Sequence, residues 1–210
     1  GFSTLLKEQL KTIISEKQYL FIQHILDSGQ HLLSLMDTIL DMSSMMTDNN
    51  KLCINRFQLK SIIDECVAML DPLIKKKKVN IQYCIQSNIF IRTDKTKFQQ
   101  ILLNVLSNAI KFSYDSKNIL IDLTIDNKMI VLSITDFGQG ISSDDLGRIF
   151  DPFVSILSHD SVRGTGLGLA IAKELTQRLS GTISISSDGK GQGACVTLSL
   201  PQNLITTPST

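Results

Sequence analysis

The sequence has no C-x-x-C pair, no long apolar run and no excess of either charge. Its four cysteines, Cys53, Cys66, Cys84 and Cys195, each lie in an apolar segment. That placement fits buried thiols in a reducing compartment and argues against a disulfide framework or a cysteine metal site. No stretch approaches the roughly 18 apolar residues of a membrane span, and the N-terminus does not have the form of a signal peptide. The chain is therefore expected to be cytoplasmic and to make no direct membrane contact, with an anchor elsewhere in a parent protein still possible. Twenty-one Lys and Arg against 20 Asp and Glu leave a formal charge of +1, so no global field points to nucleic acid. There are no internal repeats, and any anionic ligand must be recognised locally.

What is present falls into two patterns. Phe2, Leu6, Leu10 and Ile13 are spaced for an amphipathic helix over 2–14, which the polar stretch Ser15-Glu16-Lys17-Gln18 interrupts. From about 19 to 46, Ile22, Leu26, Gly29, Leu33, Met36 and Leu40 alternate four and three, with Ile25, Leu32 and Ile39 widening the stripe. This predicts an antiparallel helical hairpin over 1–48. Its arms would be about 20 Å and about 40 Å long at 1.5 Å per residue, so half of the heptad stripe needs a second subunit or an earlier start to the first helix.

Past Thr47-Asp48-Asn49-Asn50 the pattern becomes mixed. Strands are expected near 52–56, 79–85, 89–93, 119–125, 130–135, 182–187 and 194–200, and helices near 58–75, 95–111 and 166–179. The short loop Asp126-Asn127-Lys128 and the glycine-rich loop Asp188 to Gly193 each join antiparallel neighbours. The resulting fold class is α+β: the helical hairpin, then an α/β sandwich over 49–201 with a mixed, largely antiparallel sheet and helices on one face, and a tail over 202–210. Lys75 to Lys78 is the only charge run, and its place at a helix C-terminus favours a role against the helix dipole over a basic patch.

Three stretches carry possible chemistry. In "RGTGLGLAIAKEL", Gly164, Gly166 and Gly168 precede an apolar helical run. A Rossmann fingerprint needs a different spacing and a P-loop needs Gly-Lys-Ser/Thr, so a flexible loop feeding a helix N-terminus remains, suited either to phosphate or to close packing. Asp136-Phe137-Gly138-Gln139-Gly140 follows an apolar strand and reads as an ordinary turn or as a carboxylate placed for a base amino group. Asn104 and Asn108 share one helix face, with Lys111 nearly a turn beyond. That face is either solvated or holds an amide oxygen for Mg²⁺ and an ammonium for phosphate.

Together and in this order, these stretches resemble the catalytic ATP-binding domain of sensor histidine kinases, within the superfamily that includes DNA gyrase and the mismatch-repair ATPases, the GHKL or Bergerat type. "NVLSNAIKF" is similar to the N box, "DFGQG" to the first glycine box, "RIFDPF" to the phenylalanine box and "GTGLGLAIAKEL" to the second glycine box. The 2–46 hairpin resembles the end of a dimerization and histidine-phosphotransfer domain. The resemblance implies ATP and Mg²⁺, with Asn108 as metal ligand, Asn104 supporting the phosphate or water shell, Lys111 at phosphate and Phe112 lining the pocket. It implies Asp136 at the adenine amino group beside Gly138 and Gly140, and Phe150 and Phe153 anchoring a lid over about 151–163. Gly164, Thr165, Gly166, Leu167 and Gly168 would form the phosphate-side loop, with Arg163 in reach of the γ-phosphate.

The same resemblance implies a homodimeric parent that transfers the γ-phosphoryl to a histidine and relays it to a response-regulator receiver domain. The alternative is a noncatalytic ATP-sensing or dimerization module. No H box is found in the chain, so the acceptor is expected upstream and this segment is expected not to phosphorylate itself. His24 and His31, seven apart, fall on an exposed helical stripe, and His159 falls in the lid.

Overall fold

A computed structural model describes residues 15, 17–26, 28–29, 32, 36, 51–85, 89–126, 129–154, 165–201 and 204–206. The chain divides into two compact units, Gly1–Asn50 and Lys51–Thr210.

In the first unit, the described residues from 17 onward are helical. The helix begins with a reciprocal cap. Gln18 N–H donates to Ser15 Oγ at 3.4 Å, and Ser15 N–H donates to Gln18 Oε1 at 3.0 Å. The polar stretch read as a break is thus a capping box that starts the following helix. Ile22 and Leu26 are half-buried, whereas Leu20, Phe21, Ile25, Leu32 and Met36 are exposed. The predicted helix over 2–14 lies outside the described residues, as does the second arm beyond Met36.

The second unit runs β1 (Ile54–Gln58), α1 (Leu59–Met69), α2 (Asp71–Lys77), β2 (Asn80–Ile85), β3 (Phe90–Asp94), α3 (Lys95–Phe112), β4 (Asn118–Asp126), β5 (Met129–Asp136), α4 (Ser143–Leu146), α5 (Gly168–Arg178), β6 (Thr182–Ser186), β7 (Ala194–Pro201) and β8 (Ile205–Thr206). Five strands form a sheet in the order β2-β4-β5-β7-β6, with β2 and β4 parallel and every other pair antiparallel. The parallel pair needs a long crossover, which α3 provides.

Period-two burial explains how this sheet holds the helices. Ile119, Ile121 and Leu123 on β4, Ile130, Leu132 and Ile134 on β5, and Val196, Leu198 and Leu200 on β7 are all buried. The helical side of the core comprises Ile62 and Ile63 from α1, Phe98, Ile101, Leu102, Val105 and Leu106 from α3, and Ile171 and Leu175 from α5. Each such aliphatic side chain contributes about 1.5–3 kcal/mol when removed from water.

Two expectations are corrected. The helix read over 58–75 is two helices, because Leu70 leaves helical geometry (ψ 3°) and Pro72, lacking an N–H, sits in the first turn of α2. The segment read as a tail contains β8, whose Ile205 and Thr206 pair with Ile91 and Phe90 of β3. A second sheet, β1-β3-β8, results. The lysine run does end α2, and Lys77 Nζ also reaches the Ser113 carbonyl at 3.1 Å and Asp115 at 3.3 Å.

Candidate functional site

The site is built around α3. Asp94 caps its N-terminus, accepting Lys97 N–H at 3.1 Å through one carboxylate oxygen and Cys53 N–H at 2.8 Å through the other. The helix buries Phe98, Ile101, Leu102, Val105, Leu106, Ala109 and Ile110. Asn104, Asn108 and Lys111 flank that apolar face and are half-buried. Among the described residues Lys111 makes no ion pair, and burial lowers its ammonium pKa from the ordinary value. A desolvated cation lacking an anion suits a site that receives one.

The second glycine stretch meets this face at Gly168. A Cβ added there would lie 3.5 Å from Asn104 Oδ1 and 3.8 Å from Asn108 Nδ2, so the first residue of α5 stands directly over the two amides. Gly166 takes φ +69°, and a Cβ there would come within 2.7 Å of Phe153 and 2.8 Å of the Val154 carbonyl. The chain leaving "DPF" and the chain entering α5 therefore touch. Thr165 Oγ1 accepts Leu167 N–H at 3.3 Å, and the Leu167 side chain is fully buried. Leu167 is thus a core residue whose amide is already bonded within the loop. Arg163 and Gly164 lie outside the described residues, as do His31 and His159. His24 is exposed on its helix.

The phenylalanine stretch differs from expectation in one residue. Phe150 is half-buried with Lys173 Nζ of α5 5.6 Å from its ring centroid, a cation–π contact that ties this segment to the glycine-loop helix. Phe153 is 66% exposed at φ +64°, so it is not a buried anchor.

Asp136 enters from the sheet. Alternation along β5 puts it on the same face as Ile130, Leu132 and Ile134, which carries a carboxylate toward the core. Burial raises its pKa from 3.8 to about 6, although the backbone N–H groups of Gly138 (3.0 Å) and Ala194 donate to it and pull the other way. Desolvation dominates. Gly138 then packs on the C-terminal end of α3, where an added Cβ would collide with the Phe112 carbonyl oxygen. Phe112 itself is half-buried, and its carbonyl accepts Gln139 N–H at 3.0 Å. Gly140, at φ +62°, lies against the Gly189 carbonyl.

The structure therefore gathers Asn104, Asn108 and Gly168 at one side of α3 and places Gly138 at its C-terminal end, next to the Asp136 carboxylate. The sequence reading missed the loop between β6 and β7 as part of this assembly. Its signal was present in Gly189, Gly191 and Gly193, all at positive φ.

A family model described as histidine kinase-, DNA gyrase B-, and HSP90-like ATPase matches residues 93–204, from the end of β3 to the residue before β8. The chain belongs to this ATPase family. Among curated ATPase relatives, an uncharacterized sensor-like histidine kinase of Rhizobium meliloti is 33% identical over 207 residues, covering 97% of this chain and 39% of that protein. The autoinducer 2 sensor kinase/phosphatase LuxQ of Vibrio cholerae is 32% identical over 218 residues, covering 99% of this chain and 25% of that protein. The chain thus spans between a quarter and two-fifths of these relatives. A crystal structure of full-length ShkA in complex with AMPPNP superposes with a TM-score of 0.75 at 27% identity, over 96% of this chain and 42% of that one. The Acinetobacter baumannii histidine kinase AdeS shares the fold, with a TM-score of 0.69 at 22% identity over 95% of this chain and 94% of that one. The α+β architecture is that of the histidine-kinase ATPases.

The residues present fit Mg²⁺ and a nucleotide. Among the described residues no group of three or more His, Cys, Asp or Glu side chains is arranged to hold a metal by itself. Mg²⁺, which keeps waters and takes much of its coordination from phosphate oxygens, suits a site with one amide oxygen and a nearby ammonium. Among the described residues no helix is long and apolar enough to cross a membrane.

Proposed function

We propose that the second unit binds ATP with Mg²⁺ and that, in the whole protein, the γ-phosphoryl passes to a histidine and then to a response-regulator aspartate. The observation that carries this reading is Lys111, desolvated and without an ion pair among the described residues, on the same helix as Asn104 and Asn108, over which Gly168 of α5 stands. Asn108 would ligate the metal, and Lys111 would neutralise phosphate charge. Mg²⁺, when bound, supplies charge neutralisation at the phosphates. Asp136 would accept a hydrogen bond from the adenine amino group, held there by Gly138, whose missing side chain lets the segment pack on the Phe112 carbonyl. The chain's own contribution is positioning and electrostatics rather than covalent chemistry.

The exposed Leu20, Phe21, Ile25, Leu32 and Met36 support pairing of the first unit with a second copy of itself. Titration of AMPPNP into this chain, with and without Mg²⁺, tests the nucleotide reading, and a failure to bind in both conditions overturns it. Incubating a longer chain that includes upstream residues with γ-labelled ATP tests the transfer. Absence of acid-labile phosphohistidine there overturns the kinase reading.

A further inference from the structure

The stretch Ser187-Asp188-Gly189-Lys190-Gly191-Gln192-Gly193 joins β6 to β7, and its three glycines take φ of +117°, +80° and +73°. Those angles let the loop lie backbone to backbone along residues 136–141. Gly191 N–H donates to the Gln139 carbonyl at 2.6 Å, and Gly193 N–H donates to the Gly138 carbonyl at 3.1 Å. A Cβ on Gly193 would collide with the Asp136 carbonyl oxygen, and one on Gly140 with that of Gly189.

One side chain joins the two segments at their far end. Ser187 Oγ accepts Ile141 N–H at 3.0 Å and Gly189 N–H at 3.3 Å, and it donates to the Gly193 carbonyl at 2.6 Å. The Gly189 carbonyl, at 3.3 Å, is a longer alternative acceptor. A hydroxyl offers one proton and two lone pairs, and all three are engaged. Segment 138–141 is thereby held at Gly138 and Gln139 by backbone bonds and at Ile141, among the described side chains, by Ser187 alone. Because Gly138 N–H donates to Asp136 Oδ1 at 3.0 Å, beside a second bond from Ala194 N–H, one of the two bonds that orient this carboxylate follows the position of the segment.

We infer that Ser187 is a positioning residue for base recognition: it sets the carboxylate of Asp136 by fixing the Gly138–Ile141 backbone, without touching the nucleotide itself. The inference rests on the proposed reading of Asp136 as the acceptor for the adenine amino group. Asn104, Asn108, Lys111 and Gly168 stand on α3 and α5, and none of the bonds of Ser187 reaches them, so phosphate binding is expected to be independent of it.

The test is calorimetric titration of the 210-residue chain and its Ser187→Ala and Ser187→Thr variants with ADP and with inosine diphosphate, in which the amino group is replaced by a carbonyl. The wild type binds ADP roughly tenfold or more tightly than inosine diphosphate, as expected when a buried acceptor loses its donor. Ser187→Ala loses most of that ratio while its affinity for inosine diphosphate stays within roughly twofold, and Ser187→Thr, which keeps the hydroxyl, restores it. Equal weakening of both ligands by Ser187→Ala, as general destabilisation gives, overturns the assignment. A wild type with no ADP preference overturns the reading of Asp136 and this inference with it. If Ser187→Ala does not fold, amide exchange of the wild type decides: Ile141 N–H is protected and becomes more so with ADP, and exchange at the unprotected rate overturns the assignment.

Discussion

Gly138 lies against the carbonyl oxygen of Phe112 so closely that no other residue fits there without moving the backbone. The end of the N-box helix and the loop after Asp136 are therefore a single packed unit. Gly138→Ala is expected to destabilise the second unit by about 1–3 kcal/mol, the usual cost of overpacking, and to weaken ADP binding. Urea denaturation with and without ADP measures both.

Gly168 gives the opposite expectation for stability. An added methyl there meets Asn104 and Asn108 at ordinary contact distance, and its φ is not in the left-handed region. Gly168→Ala should raise stability by about 0.4–1 kcal/mol through the unfolded chain. It should lower affinity for ATP more than for adenosine, because the methyl occupies the space over the two amides. Denaturation and paired titrations check the two effects.

Lys111 is held below the ordinary lysine pKa by burial. The folded state thus binds fewer protons than the unfolded one between its lowered pKa and 10.5, and stability rises with pH across that window. Lys111→Met should leave stability unchanged or raise it by up to about 1 kcal/mol while weakening ATP about tenfold or more, with adenosine unaffected. Thermal unfolding and nucleotide titration report the pair of effects.

Asp136 has the reverse sign. Its folded-state pKa of about 6 exceeds the ordinary 3.8, so the folded state holds more protons between these values. Stability falls as pH rises through that window and levels off above about 6, by about 3 kcal/mol at most. Asp136→Asn should flatten the melting temperature between pH 4 and 6. In the wild type, affinity for ADP should increase from pH 5 to 7 as the acceptor ionises, and a flat profile would remove Asp136 from base recognition.

Asp94 is 4% exposed and joins the start of α3 to the strand region at Cys53. Asp94→Ala loses the cap and leaves Cys53 N–H unpaired. The expected cost is about 1–3 kcal/mol, read from chemical denaturation.

Much of this was legible in the residues. The β4–β5 hairpin followed from a loop too short for a crossover, and the asparagine pair on α3 followed from i, i+4 spacing. The burial of Asp136 followed less directly, since its alternation with Ile130, Leu132 and Ile134 was visible but the sheet face it joins was not. Pro72 marked the break between α1 and α2, yet continuous apolar spacing from Leu59 to Ile74 concealed it. The pairing of Ile205 with Ile91 and the three bonds of Ser187 were not readable, because both depend on segments brought together only by the tertiary fold. Exposure of Phe153 was unreadable for a related reason: its left-handed backbone lies against Gly166, a contact between segments that only the tertiary fold brings together.

The parallel pairing of β2 with β4 joins residues 38 apart, as in Asn80 and Asn118. Contacts of that sequence separation form late, since the intervening chain loses its freedom before the pairing rewards it. Helix α3, with Asn104, Asn108 and Lys111, lies within the loop that this pairing closes. Sheet assembly is therefore expected to limit formation of the site, and on refolding the recovery of nucleotide binding should keep pace with the slowest phase of the sheet rather than with helix formation.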